Sequence, residues 1–272
     1  YIEETDIRKY DVQRIRRSVA AALDFKLGAN HTIFANAMYN WRDDRENRYR
    51  FRIDDIEPVY NANDQITSFT GRIGMQTKGG IDNDRNRMTR LEDQRVQNYS
   101  LRGEHLIAAG LDMDWTASYS TAREYRPNER YMLFRQGNRT LNFSGPSEFP
   151  LFTPTNLDAT AVGLNTISEN TDLTEESEFG AKLNFRVPLS VIEGQKGRLR
   201  FGGRLRIKDK DRKNSFTEFE PINGDLIPSL GQIPNSFFGG NNFQPGDKYV
   251  PGLFASRAYL AGLNLTNADV FE

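Results

Sequence analysis

The 272-residue sequence contains no cysteine, which excludes disulfide scaffolds, thiolate metal sites and cysteine nucleophiles. It contains only two histidines, His31 and His105, and neither has an evident partner for acid–base catalysis. We therefore predict that the chain is not an enzyme, and we expect no catalytic residues, no metal centre and no cofactor.

The sequence also lacks a charge excess and long apolar runs. Its 36 basic and 37 acidic residues nearly cancel, which argues against a general nucleic-acid partner. No stretch approaches the ~18 apolar residues of a membrane-spanning helix. That criterion does not detect β-barrels, because their strands alternate between lipid-facing and lumen-facing side chains.

Six segments alternate apolar and polar residues with a period of two, which is typical of β-strands because successive side chains point to opposite faces. The segments lie at 19–27, 32–41, 98–105, 111–120, 178–187 and 198–208. They form three pairs, each joined by a short link that contains glycine. The pattern predicts three antiparallel hairpins.

Charge is distributed unequally between the two faces of these strands. One face has 29 residues without Asp, Glu, Lys or Arg, whereas 14 of the 29 residues on the opposite face are charged. A charge on the lipid-facing side of a barrel costs about 2–4 kcal/mol at mid-membrane, so lipid exposure would enforce this exclusion. A soluble β-sandwich would show similar alternation, because its inner face is also apolar.

The connections alternate between short and long. The stretches 42–96 and 122–177 are far longer than the loops of most compact soluble domains. Outer-membrane barrels combine short periplasmic turns with long extracellular loops. We therefore predict an all-β, antiparallel transmembrane β-barrel segment of about six strands, part of a larger barrel. Within the long stretches, 47–60 and 66–76 predict a projecting hairpin, and 144–155 and 231–252 an irregular surface.

The charged face supplies the candidate binding residues. We predict that seven of its side chains line the lumen and could contact a ligand: Arg102, Asp112, Asp114, Lys182, Arg186, Arg204 and Arg206. Arg198, Arg200 and Lys208 extend a basic ladder along the last strand, which carboxylates would neutralise or which would attract an anion.

Acidic residues in the long stretches offer weaker candidates for a divalent ion. Asp82, Asp84 and Asn86 have the spacing of a calcium loop but lack its glycine and bidentate glutamate, so a solvated loop is the simpler interpretation. A second group of carboxylates is interpreted as charged loop tips: Asp43, Asp44, Asp54 and Asp55.

Aromatic residues cluster at one end of the predicted strands. Tyr39 and Trp41 end one strand, and Tyr119 and Tyr125 occupy the corresponding end of another. Amphipathic rings favour the membrane–water boundary, so we predict that these four residues mark a membrane interface.

Two stretches, 38–50 (MYNWRDDRENRYR) and 104–126 with its LDMDWTASYSTAREYR run, resemble TonB-dependent receptors, particularly those of Bacteroidota. In that family a strand ends in a Tyr-Asn pair before an Arg-rich exit. The resemblance implies a 22-stranded barrel with an N-terminal plug and energy supplied through the TonB protein. It also implies outer-membrane lipid, TonB, a plug, a surface lipoprotein and a small or oligomeric nutrient as partners.

On this interpretation residues 1–272 are one piece of a receptor-like barrel domain in the bacterial outer membrane, without the plug and the TonB box. The chain begins at Tyr1 rather than Met, in keeping with a fragment. The predicted function is energy-coupled uptake of a scarce nutrient such as a siderophore, corrinoid, glycan or peptide. The alternatives are a passive pore or an adhesin, or a soluble β-rich glycan-binding protein.

Overall fold

Strands account for 70% of the computed structural model, which describes residues 2–108, 110–146, 150–239, 242 and 249–272. The all-β, antiparallel prediction is confirmed. The strands are β1 (Thr5–Lys26), β2 (His31–Tyr60), β3 (Ile66–Gly80), β4 (Arg90–Ala108), β5 (Leu111–Ser144), β6 (Leu151–Pro154), β7 (Gly163–Pro188), β8 (Arg198–Phe219), β9 (Asn235–Phe238) and β10 (Gly252–Ala255). One helix, α1 (Arg257–Gly262), follows β10, and 3₁₀ turns lie at Ala159–Ala161 and Gly224–Leu226.

Eight strands form a single antiparallel sheet, with β9 and β10 as a separate hairpin. The predicted hairpins are present as β1–β2, β4–β5 and β7–β8. One edge of β2 pairs first with β4 and then, further along, with β3. β5 pairs with the opposite edges of both β4 and β3. The pairings among β2, β3, β5 and β4 therefore close into a ring. Within the described residues, the outer edges of β1 and β8 are open.

The register places all six predicted apolar faces on one side of the sheet, because directly opposed residues of antiparallel strands share a face. One such row crosses the six strands as Leu23, Ala35, Leu101, Ala117, Ala181 and Leu205. We call this surface the apolar belt. It comprises Val19, Ala21, Leu23, Phe25, Leu27, Ile33, Ala35, Ala37, Tyr39, Trp41, Tyr99, Leu101, Gly103, His105, Leu111, Met113, Trp115, Ala117, Tyr119, Phe179, Ala181, Leu183, Phe185, Val187, Leu199, Phe201, Gly203, Leu205 and Ile207.

The apolar belt is open rather than packed. Thirteen of its large side chains are exposed, by 41% (Phe179 and Leu183) up to 62% (Val19), and the others, such as Trp41 and Trp115, are half-buried. No second sheet covers it in the described part of the chain. A sandwich needs this face buried, so the belt does not have the environment that the sandwich alternative requires.

The prediction of two long loops is wrong for most of their length. β2 runs on to Tyr60, β5 continues to Ser144, and β7 begins at Gly163. The predicted projecting hairpin is present, and backbone hydrogen bonds from Asn61 to Gln65 (2.9 Å) and from Asp64 to Asn61 (3.1 Å) close its turn. The regions expected to be irregular contain β6, β9 and the start of β10, while 147–149, 240–241 and 243–248 lie outside the described residues, as does residue 109 of the second link.

A buried cluster covers the belt side of the sheet at its far end, the end remote from the short turns. Because β1 and β2 pair without a bulge up to Ile53, Tyr49, Phe51 and Ile53 share the face of the apolar belt. They pack with the C-terminal segment, which comprises the described residues from 220 onward. We call this cluster the far core; it includes Ile73, Met75, Met132, Phe134, Ile167, Leu230, Ile233, Phe254, Leu260, Leu265 and Phe271.

Arg130 attaches the C-terminal segment to the sheet. Its Nη1 donates hydrogen bonds to the carbonyl oxygens of Leu260 (3.2 Å), Ala261 (3.2 Å) and Leu263 (2.8 Å), at the end of α1. Its Nε donates to Glu169 at 2.7 Å. A guanidinium with several donors satisfies carbonyls that the last helical turn leaves without partners.

Candidate functional site

The side of the sheet opposite the apolar belt, here called the polar face, carries the charged residues. All seven predicted lumen-lining residues lie on it, because the register aligns each with polar residues of the neighbouring strands. They lie on the same strand segments as the apolar belt. The sheet at these positions is therefore charged on one face and uncharged on the other.

Asp114 is the point at which several of these residues meet. Its Oδ1 lies 3.6 Å from Nη2 of Arg186 and 4.0 Å from Nη2 of Arg200, and its Oδ2 accepts a hydrogen bond from Asn184 at 2.6 Å. The sequence predicted this side of the sheet for Asp114 and Arg186 but did not predict that they form one cluster.

Carboxylates neutralise part of the basic ladder. Arg206 pairs with Glu178 at 2.5 Å, and Lys208 pairs with Glu176 at 2.6 Å. Arg102 pairs with Glu104 and lies over the ring of Phe34, 4.7 Å from its centroid. Among the described residues the remaining candidates have no ion pair, namely Asp112, Lys182 and Arg204.

The four predicted interface aromatics lie on the belt side, in four adjacent rows at one end of the apolar belt. Tyr39 and Trp41 are 5.1 Å apart by ring centroids, and the guanidinium of Arg17 lies 5.9 Å from the Trp41 ring. Arg85 and Arg123 lie 4.7 and 5.0 Å from the ring of Tyr125. Along the strands, apolar side chains are thus replaced by aromatic and charged side chains within a few residues.

The two histidines have partners, contrary to the sequence interpretation. Nδ1 of His31 lies 3.1 Å from Nδ1 of His105, and Trp115 Nε1 donates to His105 Nε2 at 2.9 Å. An indole nitrogen can only donate, so the hydrogen of His105 lies on Nδ1 and is donated to His31. This pair of rings lies at the turn end of the apolar belt.

The acidic residues considered for a divalent ion are bound by arginines instead. Asp44 pairs with Arg14 at 2.7 Å, and Asp54 accepts from Arg72 and Arg135, each at 3.1 Å. Asp43 pairs with Arg95, and Asp55 with Arg72. In the calcium-like stretch, the buried Asn86 amide donates to the Pro127 carbonyl at 2.7 Å. Among the described residues, no three His, Asp or Glu side chains converge to hold a metal ion.

Beyond the apolar belt, the polar face carries an ion-pair network that the sequence did not predict. Glu92 forms ion pairs with Arg42 at 2.5 Å, with Arg126 at 3.2 Å, and with Arg90. Burial acts to raise the pKa of Glu92, but these guanidinium groups outweigh it and lower the pKa. These residues come from β2, β4 and β5, so only the cross-strand register brings them together.

A second buried centre lies in the same network. Nζ of Lys78 is 2.9 Å from Glu129 and 3.3 Å from Glu46, and Tyr131 also bonds Glu129. Burial raises the pKa of Tyr131, and the charge of Glu129 adds to that effect. Burial opposes ionisation of Glu129, yet Lys78, Tyr131 and Arg90 lower its pKa.

Arg48 and Arg50 differ from the arginines of this network. Arg48 donates to the amide oxygen of Gln76 at 2.6 Å and lies 5.7 Å from the Tyr131 ring. The nearest carboxylate to Arg50 is Asp6, at 3.9 Å, and Asp6 is already bound by Arg8 at 2.7 Å.

No protein-family model matches the chain, and no curated protein is significantly similar to it. No helix in the described ranges combines the length and the apolarity needed to cross a membrane.

Proposed function

We propose that this chain is part of the β-barrel of an outer-membrane receptor that takes up a scarce nutrient with energy supplied through TonB. The observation that carries the proposal is the apolar belt. Its six paired strands are uncharged on one face and charged on the other, and aromatic residues border the belt at one end. The proposal includes no bond-breaking chemistry.

The dimensions of the apolar belt support a membrane environment. On β5 it occupies residues 111–119, and a membrane-spanning β-strand needs about 9–11 residues. Monomeric soluble proteins rarely leave a continuous apolar patch of more than a few hundred Å² exposed. A hydrocarbon layer would cover this surface without desolvating any charge.

The open edges support a larger barrel. β1 and β8 have 22 residues each, and their outer backbone groups have no strand partner in the described residues. Unpaired peptide groups cost several kcal/mol each in hydrocarbon, so a membrane form needs further strands on both sides. The resemblance to TonB-dependent receptors suggests that these strands, and a plug, belong to the same protein.

The strands beyond the apolar belt support a receptor rather than a simple pore. β5 is 34 residues long, about 110 Å at ~3.3 Å per residue, which far exceeds the ~30 Å hydrocarbon layer. The far end therefore provides a large folded surface outside the proposed membrane. Loops and strand ends of this kind are where ligands are captured.

The first test has two parts. The gene is sequenced upstream of the segment that encodes this chain, and the full-length protein is located by membrane fractionation. We expect a signal peptide, a plug-like domain, a TonB-contacting segment, and extraction from the outer membrane only with detergent. Release without detergent would contradict the membrane assignment. Steady open conductance in planar bilayers would instead identify a passive pore, and uptake that persists without TonB would exclude energy coupling.

A further inference from the structure

We propose that Arg48 and Arg50, beside Arg8, form a binding site for an oxyanion, a carboxylate or phosphate group of a ligand. The three side chains lie on the polar face of β1 and β2, beyond the apolar belt. The inference builds on the proposed receptor function in one respect, because it specifies the charge of the nutrient or of one of its groups.

The register concentrates like charge at this position. Arg8 lies directly opposite Arg50 across β1 and β2, and Arg48 and Arg52 flank Arg50 on the same face of β2. Like charges directly opposed in a sheet destabilise it. Arg52 is compensated by Glu4 and by Asp54 at 3.2 Å, whereas Arg8 and Arg50 share Asp6, and Arg48 has no ion pair among the described residues.

Largely buried arginines elsewhere on the same face have carboxylates close by, such as Arg42 and Arg90, whereas the unpaired Lys182 and Arg204 are exposed to solvent. Elsewhere on the same face, Arg14 and Arg212 each have a carboxylate within 2.7 Å, and Arg42 has one at 2.5 Å. Arg48 contacts the amide of Gln76 and the ring of Tyr131. The carboxylate nearest to Arg50, that of Asp6, lies beyond hydrogen-bond distance. Two adjacent guanidinium groups thus remain available for an anion.

Burial makes the lack of a close carboxylate more costly. The side chain of Arg50 is only 15% exposed, and its Nε and the Nε of Arg48 are buried without a hydrogen-bond partner in the described structure. Burial and the neighbouring charges of Arg48, Arg52 and Arg8 lower the pKa of Arg50. A guanidinium fork bonds carboxylate or phosphate oxygens in a bidentate manner, which would satisfy both the charge and the donors.

The test is calorimetric titration of the full-length protein in detergent micelles, at low ionic strength, with citrate and with inorganic phosphate as separate probes. We expect at least one probe to bind, and the Arg48→Gln, Arg50→Gln double variant to bind it at least about tenfold more weakly. Arg212→Gln, on the same face but paired with Asp172, is the matched control and should bind normally. Binding of citrate alone would assign a carboxylate ligand, and binding of phosphate alone a phosphate.

Thermal unfolding without added anion separates this site from a structural role. Arg50→Gln should raise the midpoint, because it removes like-charge repulsion, and the anion should then stabilise the variant less than the parent protein. No binding of either probe to the parent protein, or equal binding by parent and double variant, would overturn the inference. These readouts do not require a membrane or TonB, so they can fail while the proposed function stands.

Discussion

Ala117 on β5 lies directly opposite Ala181 on β7, at the centre of the apolar belt. One residue further along, Ser118 lies opposite Gly180 on the polar face. The two neighbouring positions therefore test which face contacts lipid, with the strand, the depth and the introduced residue held constant.

Ala117→Arg should destabilise the folded barrel by about 2–4 kcal/mol, because it places a charge at mid-membrane depth on the proposed lipid face. Ser118→Arg should have a much smaller effect, because its neighbours are polar. The measurement is folding into lipid vesicles followed by denaturant titration. Equal losses in the two variants would show that the apolar belt does not face hydrocarbon.

Arg130→Ala should release the C-terminal segment from the sheet. The change removes two hydrogen bonds to α1 carbonyls and one to the carbonyl of Leu263, and it leaves Glu169 without its cation. Charged hydrogen bonds contribute about 1.5–3 kcal/mol each. We expect faster proteolysis after residue 220 while the sheet remains folded. Arg123→Ala, also on β5 but paired with Glu175 of β7, is the control. An unchanged cleavage rate for Arg130→Ala would contradict the anchoring role.

The buried pair Lys78 and Glu129 should make stability depend on acidic pH. The pKa of Glu129 is lower in the folded protein than its ordinary value of 4.5, so its contribution is complete above that value and is lost as pH falls through the lowered pKa. Lys78→Met should cost roughly 3 kcal/mol near neutral pH, because Glu129 then remains charged, buried and without its nearest cation.

The double variant Lys78→Met, Glu129→Gln should recover much of that loss and lose part of the acid sensitivity. Thermal unfolding midpoints from about pH 6 to about pH 3 measure both effects. Glu193→Gln, at an exposed turn, should retain the parent pH profile. A double variant as unstable as Lys78→Met would show that the pair is not the source of the stability.

The strands and faces could be predicted because period-two alternation is local, and Leu111 to Ser120 follows it without interruption. The length of β5 could not, because a bulge between Arg126 and Glu129 changes which residues share a face. The belt side uses odd positions such as Ala117 before the bulge and even positions such as Met132 after it. No single alternating frame spans both halves.

The candidate sites show the same limit. The side of the sheet was predictable for Arg186 and Arg206, since a single strand determines it. The partners were not, because Glu92 meets arginines from three strands and Arg8 meets Arg50 only through the β1–β2 register. Register depends on pairing between residues tens of positions apart, and sequence alternation alone carries no such information.

Gly103 provides a last prediction, at the turn end of the apolar belt. A Cβ atom at this position would overlap the indole nitrogen of Trp115 and Nε2 of His105. Gly103→Ala should therefore displace Trp115 and break its 2.9 Å hydrogen bond to His105. In a Trp41→Phe background, where Trp115 is the sole tryptophan, we expect a shifted fluorescence emission maximum. Gly203→Ala, whose Cβ meets nothing within 4 Å, should leave the emission unchanged. A parent-like spectrum for Gly103→Ala would show that Trp115 does not lie over this glycine.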